Sequence, residues 1–435
     1  MRKYFGTDGV RGRVGEFPLT PEFALKLGFA AGKAFAGKEN ATIMIGKDTR
    51  LSCDMFISAL AAGISYAGVN VVLTGVIPTP AVAYLTMKHQ AVAGIVVSAS
   101  HNPFHDNGIK FFNEKGEKLD DEVEQRVEKG IDEPLTVVES ELVGTISELA
   151  TAADEYIDFC TQSAEGLSLV GKRIVVDCAN GATYQVAPRI FKRLGAHVIE
   201  VGTSPNGINI NDHVGSTAPA ALIEAVKAEK ADLGVAFDGD GDRLLIIDEN
   251  GRQFDGDDIL YLLATVNNEQ AVVGTIMSNL GFELALKARG ITLHRSKVGD
   301  RYVLELLNEK KLTIGGENSG HILCLDVHST GDGIIAALQC LLTINKAQTT
   351  FGAILDEIPK TVQVMHNVRI SKETVWDTDA LKAEIEAVET ELAGKGRILI
   401  RPSGTEPVVR VMVESHDFAT SEKHTIRLAD IIRQQ

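Results

Sequence analysis

The fold of this chain is signalled most clearly by the stretch Gly94-Ile-Val-Val-Ser-Ala-Ser-His-Asn-Pro103, which Asn107-Gly-Ile-Lys110 follows closely. Its apolar first half predicts a short buried strand, and the polar, turn-forming residues after Val97 cannot continue a strand through a core. Hydroxyl, imidazole and amide groups therefore stand at a strand end, where α/β proteins usually place their chemistry. Such a loop taken alone is more often only a polar connection, so its function depends on the rest of the chain.

Strand patterns alternate with helical patterns through most of the sequence. Strands are predicted at 42–45, 69–73, 94–97, 173–176, 197–201, 232–237, 244–248, 274–278, 293–296 and 312–315. Ala- and Leu-rich segments such as 55–66 separate them, which favours parallel or mixed sheets covered by helices on both faces. Three successive α/β domains fit 435 residues better than one very large sheet.

The end of the chain has a different pattern. Strands are predicted at 362–370, 397–400 and 408–414, and helices at 379–393 and 421–434. This predicts a small α+β domain of about 70 residues. The expected domains are therefore 1–150, 151–250, 251–361 and 362–435.

Charge and composition exclude several classes of partner. The formal net charge of −16 argues against nucleic acid and anionic membranes, which bind basic surfaces, but it allows a small phosphorylated ligand. No apolar run approaches about 18 residues, so we expect no membrane span. Met1-Arg-Lys-Tyr4 precedes no signal-peptide core, and the five scattered cysteines lack metal or disulfide spacing. We expect a cytoplasmic protein with buried thiols.

A second motif, Asp238-Gly-Asp-Gly-Asp-Arg243, places three carboxylates at alternate positions between two strand patterns. Glycine allows the backbone to turn such groups toward one point, and hard oxygen ligands favour Mg²⁺ or Ca²⁺. The spacing partly matches an EF-hand, but Arg243 stands where that loop needs glycine. The metal's open positions and the nearby guanidinium suit phosphoryl transfer. An alternative is that Asp238 itself is the nucleophile of an aspartyl-phosphate enzyme.

Two further loops carry groups suited to anions and sugars. Arg401-Pro-Ser-Gly-Thr-Glu-Pro407, with Arg410 nearby, can hold a phosphate through guanidinium, hydroxyl and backbone N–H groups. Gly315-Gly-Glu-Asn-Ser-Gly-His321 presents carboxylate, amide and hydroxyl groups to sugar hydroxyls. Its imidazole can exchange protons near neutral pH.

Five motifs stand in the order found in the α-D-phosphohexomutases, and the chain resembles that superfamily along essentially its whole length. They are Phe5-Gly-Thr-Asp-Gly-Val-Arg-Gly12, the 98–103 loop, Asp238–Arg243, Gly315–His321 and Arg401–Pro407. The first and last of these, with Val298-Gly-Asp-Arg-Tyr302, resemble the branch that acts on glucosamine phosphates. The family often carries glutamine at the position of Asn318. The amide side chain is therefore shorter here, in the Gly315–His321 loop, which is called the sugar loop below.

The resemblance implies a fold and an activity. The fold would be three similar α/β domains and a C-terminal domain related to the TATA-box-binding protein, arranged around a central cleft. The activity would be interconversion of glucosamine 6-phosphate and glucosamine 1-phosphate through a phosphoserine and glucosamine 1,6-bisphosphate, supplying UDP-N-acetylglucosamine synthesis. Phosphomannomutase and phosphoglucomutase activities are the alternatives within the superfamily. The ligands would be small sugar phosphates, with glucosamine or glucose 1,6-bisphosphate as activator, and homodimers occur in the family.

The resemblance also implies roles for individual residues. Ser100 would be the phosphorylated serine and a ligand of one Mg²⁺ per chain. The other implied metal ligands are Asp238, Asp240 and Asp242. Substrate contacts are expected from Arg243, Glu317, Asn318, Ser319, Arg401, Ser403, Gly404, Thr405 and Arg410. Candidates for proton exchange are Arg11, His101 and Lys110 at the serine oxygen and His321 at the sugar. Ser98 is expected to be structural.

Two other classes of function stay open on the residues alone. A hydrolase would use Asp238 as its nucleophile and form an acyl phosphate. A non-catalytic protein would bind sugar phosphate without turnover.

Overall fold

The computed structural model of the chain describes residues 3–6, 8–37, 40–371, 375–403 and 407–434. Four successive units, each with its own sheet, make up the described chain. The predicted fold class, three α/β domains followed by an α+β domain, is confirmed.

The first domain is built on a six-stranded mixed sheet. Its strands are β1 (Val10–Arg13), β2 (Thr42–Lys47), β3 (Asn70–Val76), β4 (Ala93–Val97), β5 (Asp106–Asn113) and β6 (Ile146–Glu148). Its helices are α1 (Pro21–Phe35), α2 (Cys53–Tyr66), α3 (Thr79–Lys88) and α4 (Asp121–Ile131). The sheet order is β1-β5-β4-β2-β3-β6. The fully buried strand β4 is parallel to β2 and antiparallel to β5, so Val96 pairs with Lys110 beside the loop that follows Val97.

The second domain carries the acidic motif on a hairpin. Its strands are β7 (Arg173–Asp177), β8 (His197–Val201), β9 (Leu233–Phe237), β10 (Leu244–Asp248) and β11 (Gln253–Phe254). Its helices are α5 (Ala152–Ser163), α6 (Ala187–Arg193) and α7 (Ala220–Ala228). The order is β11-β10-β9-β7-β8. The buried strands β9 and β10 are antiparallel and adjacent, so the Asp238–Arg243 loop sits at their shared end.

The third domain has a four-stranded sheet. Its strands are β12 (Ala271–Thr275), β13 (Thr292–Ser296), β14 (Ile314–Gly316) and β15 (Ile322–Cys324). Its helices are α8 (Gly256–Val266), α9 (Leu280–Ala288), α10 (Asp300–Lys310), α11 (Gly333–Ala347) and α12 (Phe351–Glu357). The order is β13-β12-β14-β15, and the loop between β14 and β15 carries the sugar-loop motif.

Two strand predictions in this domain are displaced from the observed elements. The strand predicted at 274–278 lies at Ala271–Thr275, because Ser278 closes a turn by accepting a hydrogen bond from the N–H of Thr275 at 3.0 Å. The strand predicted at 312–315 begins two residues later, at Ile314.

The fourth domain is a three-stranded antiparallel sheet with two helices. Its elements are β16 (Val362–Arg369), α13 (Asp379–Leu392), β17 (Arg397–Pro402), β18 (Val408–Ser415) and α14 (Phe418–Arg433). The order is β16-β18-β17, with β18 in the centre. Its core includes Val409, Val411 and Val413 from alternate positions of β18, packed with Leu428 of α14. This period-2 pattern is the one that predicted the strand.

The domains are joined by buried contacts. One continuous apolar core contains residues of α3 from the first domain and of the second and third domains. The fourth domain attaches to the third through Arg397, which donates hydrogen bonds to the carbonyl oxygens of Ile276 and Ser278 at 2.8 and 2.7 Å. The buried carboxylate of Glu414 accepts from the N–H of Leu280 at 2.7 Å. None of the helices in the described part of the chain combines the length and apolar character needed to cross a membrane.

Candidate active site

Ser100 lies at the meeting point of the first two domains. Its side chain is buried, and its hydroxyl donates a 2.5 Å hydrogen bond to Oδ2 of Asp238. Nδ1 of His101 is 3.2 Å from the same hydroxyl oxygen. The backbone φ of Ser100 is +53°, a left-handed conformation that serine seldom adopts. Non-glycine residues keep such conformations only where their surroundings enforce them.

A buried ion pair in the first domain provides part of that enforcement. Asp48 and Arg50 pair at 2.8 Å, and both side chains are fully buried. Nη2 of Arg50 donates to the carbonyl oxygens of Ser100 and Asn102 at 3.0 and 2.8 Å. Ser98 donates from its hydroxyl to Asp48 at 2.6 Å and accepts from the N–H of Ser100 at 3.0 Å. Ser98 therefore supports the loop, consistent with its expected structural role.

The three aspartates of the second motif converge. Each offers a carboxylate oxygen, and these oxygens lie within 4.8 Å of one another. Oδ1 of Asp240 and Oδ1 of Asp242 are buried and have no hydrogen-bond partner among the described residues. Burial, with Asp242 and Asp240 beside it, raises the pKa of Asp238 to about 8. Buried oxygens without donors and an excess of negative charge fit a hard divalent cation such as Mg²⁺.

Both carboxylate oxygens of Asp238 accept hydrogen bonds from neighbouring residues. Oδ1 accepts from the N–H groups of Gly241 and Arg243 at 3.1 and 3.2 Å, and Oδ2 accepts from Ser100. This arrangement suits a metal ligand that orients Ser100 better than it suits an attacking nucleophile.

Lys110, which belongs to the first domain, offsets the negative charge of the aspartate cluster in the second. Its buried Nζ lies 2.7 Å from Oδ2 of Asp240, 3.4 Å from Asp242 and 3.1 Å from Asp8. Burial opposes the charge on Lys110, but Asp240, Asp8 and Asp242 outweigh it and hold its pKa well above the usual range. Lys110 is therefore a cation at any physiological pH, and Arg11 forms an ion pair with Asp8 beside it.

The two histidines of the site have opposite environments. Burial, with Arg243 and Arg11 nearby, lowers the pKa of His101 to about 4, so its ring is neutral at pH 7. Burial alone would also lower the pKa of His321, but the carboxylates of Asp242 and Asp300 raise it to about 9. His321 lies 3.7 Å from each of these carboxylates and is a cation at neutral pH.

The sugar loop is fixed at its carboxylate. Oε1 of Glu317 accepts from the N–H of Gly299 at 2.9 Å, which ties the loop to the Val298–Tyr302 segment. Asn318 and Ser319 are exposed. Nε of Arg243 is buried and has no hydrogen-bond partner in the described part of the chain, so it can still donate to an anion.

Two guanidinium groups lie on the strands that flank the predicted phosphate-binding loop of the fourth domain. Arg401 on β17 and Arg410 on β18 stand directly opposite each other in the antiparallel register. Burial and the charge of Arg410 lower the pKa of Arg401. Ser403 donates from its N–H to the carbonyl of Val408 at 2.8 Å. The predicted ligands Gly404 and Thr405 lie outside the described residues.

Family models match all four domains. The models describe the phosphoglucomutase/phosphomannomutase α/β/α domains I, II and III at residues 2–136, 154–251 and 255–362, and the C-terminal domain at residues 365–431. The chain belongs to this family. The predicted membership of the phosphohexomutases is therefore confirmed.

Full-length relatives place this phosphohexomutase in one branch. It is 54% identical to the phosphoglucosamine mutase of Aeromonas salmonicida, over 100% of this chain and 98% of the relative. It is 52% identical to the phosphoglucosamine mutase of Cupriavidus metallidurans, over 99% of both chains. The phosphoglucosamine mutase branch predicted from the sequence is confirmed, and neither a hydrolase nor a non-catalytic binder is supported.

Solved structures share the fold. A phosphoglucomutase/phosphomannomutase family protein from Burkholderia thailandensis superposes with a TM-score of 0.81 at 24% identity, covering 100% of this chain and 98% of its own. The N-acetylphosphoglucosamine mutase of Aspergillus fumigatus, in complex with GlcNAc-6P and magnesium, has a TM-score of 0.71 at 18% identity, covering 100% and 96%.

The site of this phosphohexomutase includes residues that the sequence reasoning did not single out. They are Asp48, Arg50, Thr79, Lys118 and Asn211, and Asp300 of the quoted Val298–Tyr302 stretch gains a contact that its motif alone did not indicate. Thr79 donates from its hydroxyl to Oδ2 of Asp240 at 2.6 Å, and Lys118 joins Asp8 to Asp300 at 2.6 Å each. Asp48 and Arg50 could have been found from the sequence, because they are polar residues just after the predicted strand 42–45. The Ser98–Pro103 loop stands in the same way after the predicted strand 94–97.

Proposed function

We propose that this isomerase interconverts glucosamine 6-phosphate and glucosamine 1-phosphate through a phosphoserine at Ser100 and a glucosamine 1,6-bisphosphate intermediate. The observation that carries the proposal is the 2.5 Å hydrogen bond from Ser100 to Asp238, within a cluster of three carboxylates suited to Mg²⁺. The names of the full-length relatives support the same substrate. The product would supply UDP-N-acetylglucosamine synthesis.

The metal ligands would be Asp238, Asp240, Asp242 and the phosphorylated Ser100, holding one Mg²⁺ per chain. A bound Mg²⁺ would neutralise charge on the transferring phosphoryl group. The described residues fit that role, since Asp240 and Asp242 each keep one buried oxygen without a donor. The magnesium bound with GlcNAc-6P in the Aspergillus fumigatus relative is consistent with this assignment.

The protein's own cations would complete the neutralisation. Lys110 contacts two of the three aspartates, and Arg11 pairs with Asp8 beside them. Arg243 would donate to the reacting phosphoryl group through its guanidinium. Because phosphoryl transfer needs mainly positioning and charge neutralisation, these three residues would do much of the catalysis.

Protons would be exchanged at two places. His101 is neutral and within hydrogen-bond distance of Ser100 Oγ. We therefore propose that His101 accepts the proton of the Ser100 hydroxyl when Ser100 is phosphorylated and returns it in the reverse transfer. Lys110 and Arg11, the other candidates at that oxygen, contact carboxylates, and we assign them charge neutralisation. His321 is a cation that can donate a proton to a departing sugar oxygen and take it back when the direction reverses.

The substrate would be held at both ends. Glu317, Asn318 and Ser319 would bind sugar hydroxyls, and the non-reacting phosphate would be bound by Arg401, Ser403, Gly404, Thr405 and Arg410. After the first transfer, phosphoserine has become a free Ser100 and the sugar carries two phosphates. The bisphosphate would then turn so that its other phosphate faces Ser100. Glucosamine or glucose 1,6-bisphosphate would act as activator by phosphorylating Ser100.

Several broader expectations belong to the same proposal. We propose a cytoplasmic enzyme with small sugar phosphates as ligands, no nucleic-acid or membrane partner, and a homodimer as its assembly. We also propose the domain boundaries 1–150, 151–250, 251–361 and 362–435.

The decisive experiment measures the intact mass of the protein after incubation with glucose 1,6-bisphosphate and Mg²⁺. The wild type should gain one phosphoryl group, and Ser100→Ala and Ser100→Gly should gain none and lose mutase activity. If the variants kept the added phosphoryl group, the nucleophile would lie elsewhere. A panel of glucosamine, glucose and mannose phosphates tests the substrate, and faster turnover of mannose phosphate would contradict it.

A further inference from the structure

Asn211, in a loop of the second domain, contacts the Ser100 loop of the first. Its Nδ2 donates to the carbonyl oxygen of Ser100 at 2.9 Å and to that of Asn102 at 3.1 Å. Arg50 of the first domain donates to the same two oxygens. The carbonyl oxygens of Ser100 and Asn102 therefore each accept one hydrogen bond from each domain.

The same amide lies against the metal-binding loop. A Cβ atom built on Gly239 would meet Nδ2 of Asn211 at 2.8 Å and the carbonyl oxygen of Ser100 at 2.5 Å. Gly239 separates Asp238 from Asp240, so the Ser100 loop, the Asn211 amide and the metal loop are in direct contact. The lack of a side chain at Gly239 is what allows this approach.

The orientation of Asn211 is itself fixed. Its N–H donates to the carbonyl of Ala179 at 2.8 Å, and its φ of +59° is one that asparagine accepts more readily than most residues. Its Oδ1 is buried and finds no hydrogen-bond partner within the described ranges. If the amide were flipped, Oδ1 would face the carbonyl oxygens of Ser100 and Asn102, which cannot donate a hydrogen bond. The amide therefore makes these two hydrogen bonds only with Nδ2 toward the carbonyls.

We propose that Asn211 is a positioning residue, which sets the placement of Ser100 relative to Asp238 and Asp240 and so controls the rate of phosphoryl transfer. Asn211 acts through the backbone of Ser100 and makes no contribution to sugar binding. Ser100 is held at a positive φ, so loss of one of the two donors to its carbonyl lets the loop relax away from the aspartates. The inference rests on the proposed function, because it concerns transfer to and from Ser100.

The test replaces Asn211 by glycine, which removes the amide and still tolerates positive φ. A matched control is Asn268→Gly, since Asn268 is exposed, has a φ of +58° and donates from its side chain to the nearby carbonyl oxygen of Val266. Asn211→Gly should lower kcat by about 10- to 100-fold, because a displacement near 1 Å has that effect on a reacting group. The KM for glucosamine phosphate should stay unchanged, and phosphorylation of Ser100 by bisphosphate should slow in parallel by intact mass. Asn268→Gly should leave all three quantities at wild-type values.

A second variant guards against a simple loss of folding. Asn211→Asp keeps the shape and the φ preference but turns a donor toward two carbonyls into an acceptor, so its kcat should fall at least as far. Both variants are compared with the wild type by thermal unfolding, and a variant that melts near the assay temperature is assayed at a lower one. Wild-type kcat in either folded variant, or a raised KM with unchanged kcat, overturns the inference. A wild-type protein that never acquires phosphate on Ser100 would instead overturn the proposed function.

Discussion

Ser100 and Asp238 are joined by a 2.5 Å hydrogen bond although they are 138 positions apart and belong to different domains. Thr79 and Asp240 form a second such bond across the same boundary, at 2.6 Å. The proposed nucleophile and the proposed metal ligands are therefore brought together by docking of the first two domains, and neither domain contains the site by itself. Changes at this boundary should affect activity before they affect the fold of either domain.

Substitution Asp240→Asn should weaken the response to magnesium. The amide has one oxygen and no charge, so the proposed Mg²⁺ would lose one of its three carboxylate ligands. The Mg²⁺ concentration for half-maximal mutase activity should rise more than about tenfold. Glu249→Gln removes an exposed charge from the end of the same hairpin and should change nothing. An unchanged magnesium requirement in Asp240→Asn would exclude this carboxylate as a ligand.

Substitution Lys110→Met should destabilise the protein in the presence of a chelator. Removing the cation leaves buried Asp240 and Asp242 without their closest positive partner, a kind of change that costs roughly 3–5 kcal/mol of unfolding free energy. Saturating Mg²⁺ should restore part of the loss, because it neutralises the same carboxylates. Denaturant unfolding with and without Mg²⁺ measures both effects, with the exposed Lys129→Met as control. If Mg²⁺ did not reduce the loss of unfolding free energy in Lys110→Met, the destabilisation would not arise from the carboxylates proposed to bind the metal.

His321 should make the stability of the metal-free protein depend on pH. Burial opposes its charge, but Asp242 and Asp300 raise its pKa to about 9, above the ordinary value of 6.5. Its stabilising contribution is therefore complete below pH 6.5 and is lost as the pH rises through about 9. Unfolding free energy measured across this window in chelator should fall less in His321→Gln than in the wild type. His197→Gln, at an exposed position of β8, should follow the wild type. Parallel curves for His321→Gln and wild type would remove His321 as the cause.

Arg401→Gln should impair binding of the phosphate more than folding. Arg401 and Arg410 are like charges directly opposite on neighbouring strands, so together they present two guanidinium groups to an anion. The KM for glucosamine 6-phosphate should rise roughly tenfold or more, as expected for loss of a charge-assisted hydrogen bond. Sulfate should raise the melting temperature of the wild type more than that of the variant. Arg433→Gln removes an exposed arginine from α14 and serves as the control; equal sulfate effects would argue against the loop as the anion site.

Much of the architecture could be predicted because its signals are local. The strand before Ser98 is apolar and short, and the β9–β10 hairpin brackets its acidic loop with two buried strands. The alternation of apolar residues in β18 likewise predicts a strand without any information about the strands that pair with it. The strand near Ser278 was misplaced because a serine that caps a turn looks like a residue that could continue a strand.

The contacts that support Ser100 could not be predicted, because they come from distant residues and end on backbone carbonyl oxygens. The position of Arg50 after a predicted strand marks it as a candidate site residue, but nothing in the sequence shows that it bonds to Ser100, 50 positions away. Asn211 is 111 positions from Ser100 and carries no such mark. Side-chain chemistry marks the reacting groups in a sequence, whereas the geometry of backbone acceptors appears only in the folded chain.

The positive φ of Ser100 restricts which hydroxyl amino acid this position can hold. Threonine also offers a hydroxyl group for phosphorylation, but its branched Cβ is poorly tolerated in the left-handed region. The backbone conformation thus favours serine over threonine at this position, independently of how readily either hydroxyl group reacts. An attempt to evolve a phosphothreonine enzyme from this scaffold would have to rebuild the loop's handedness first.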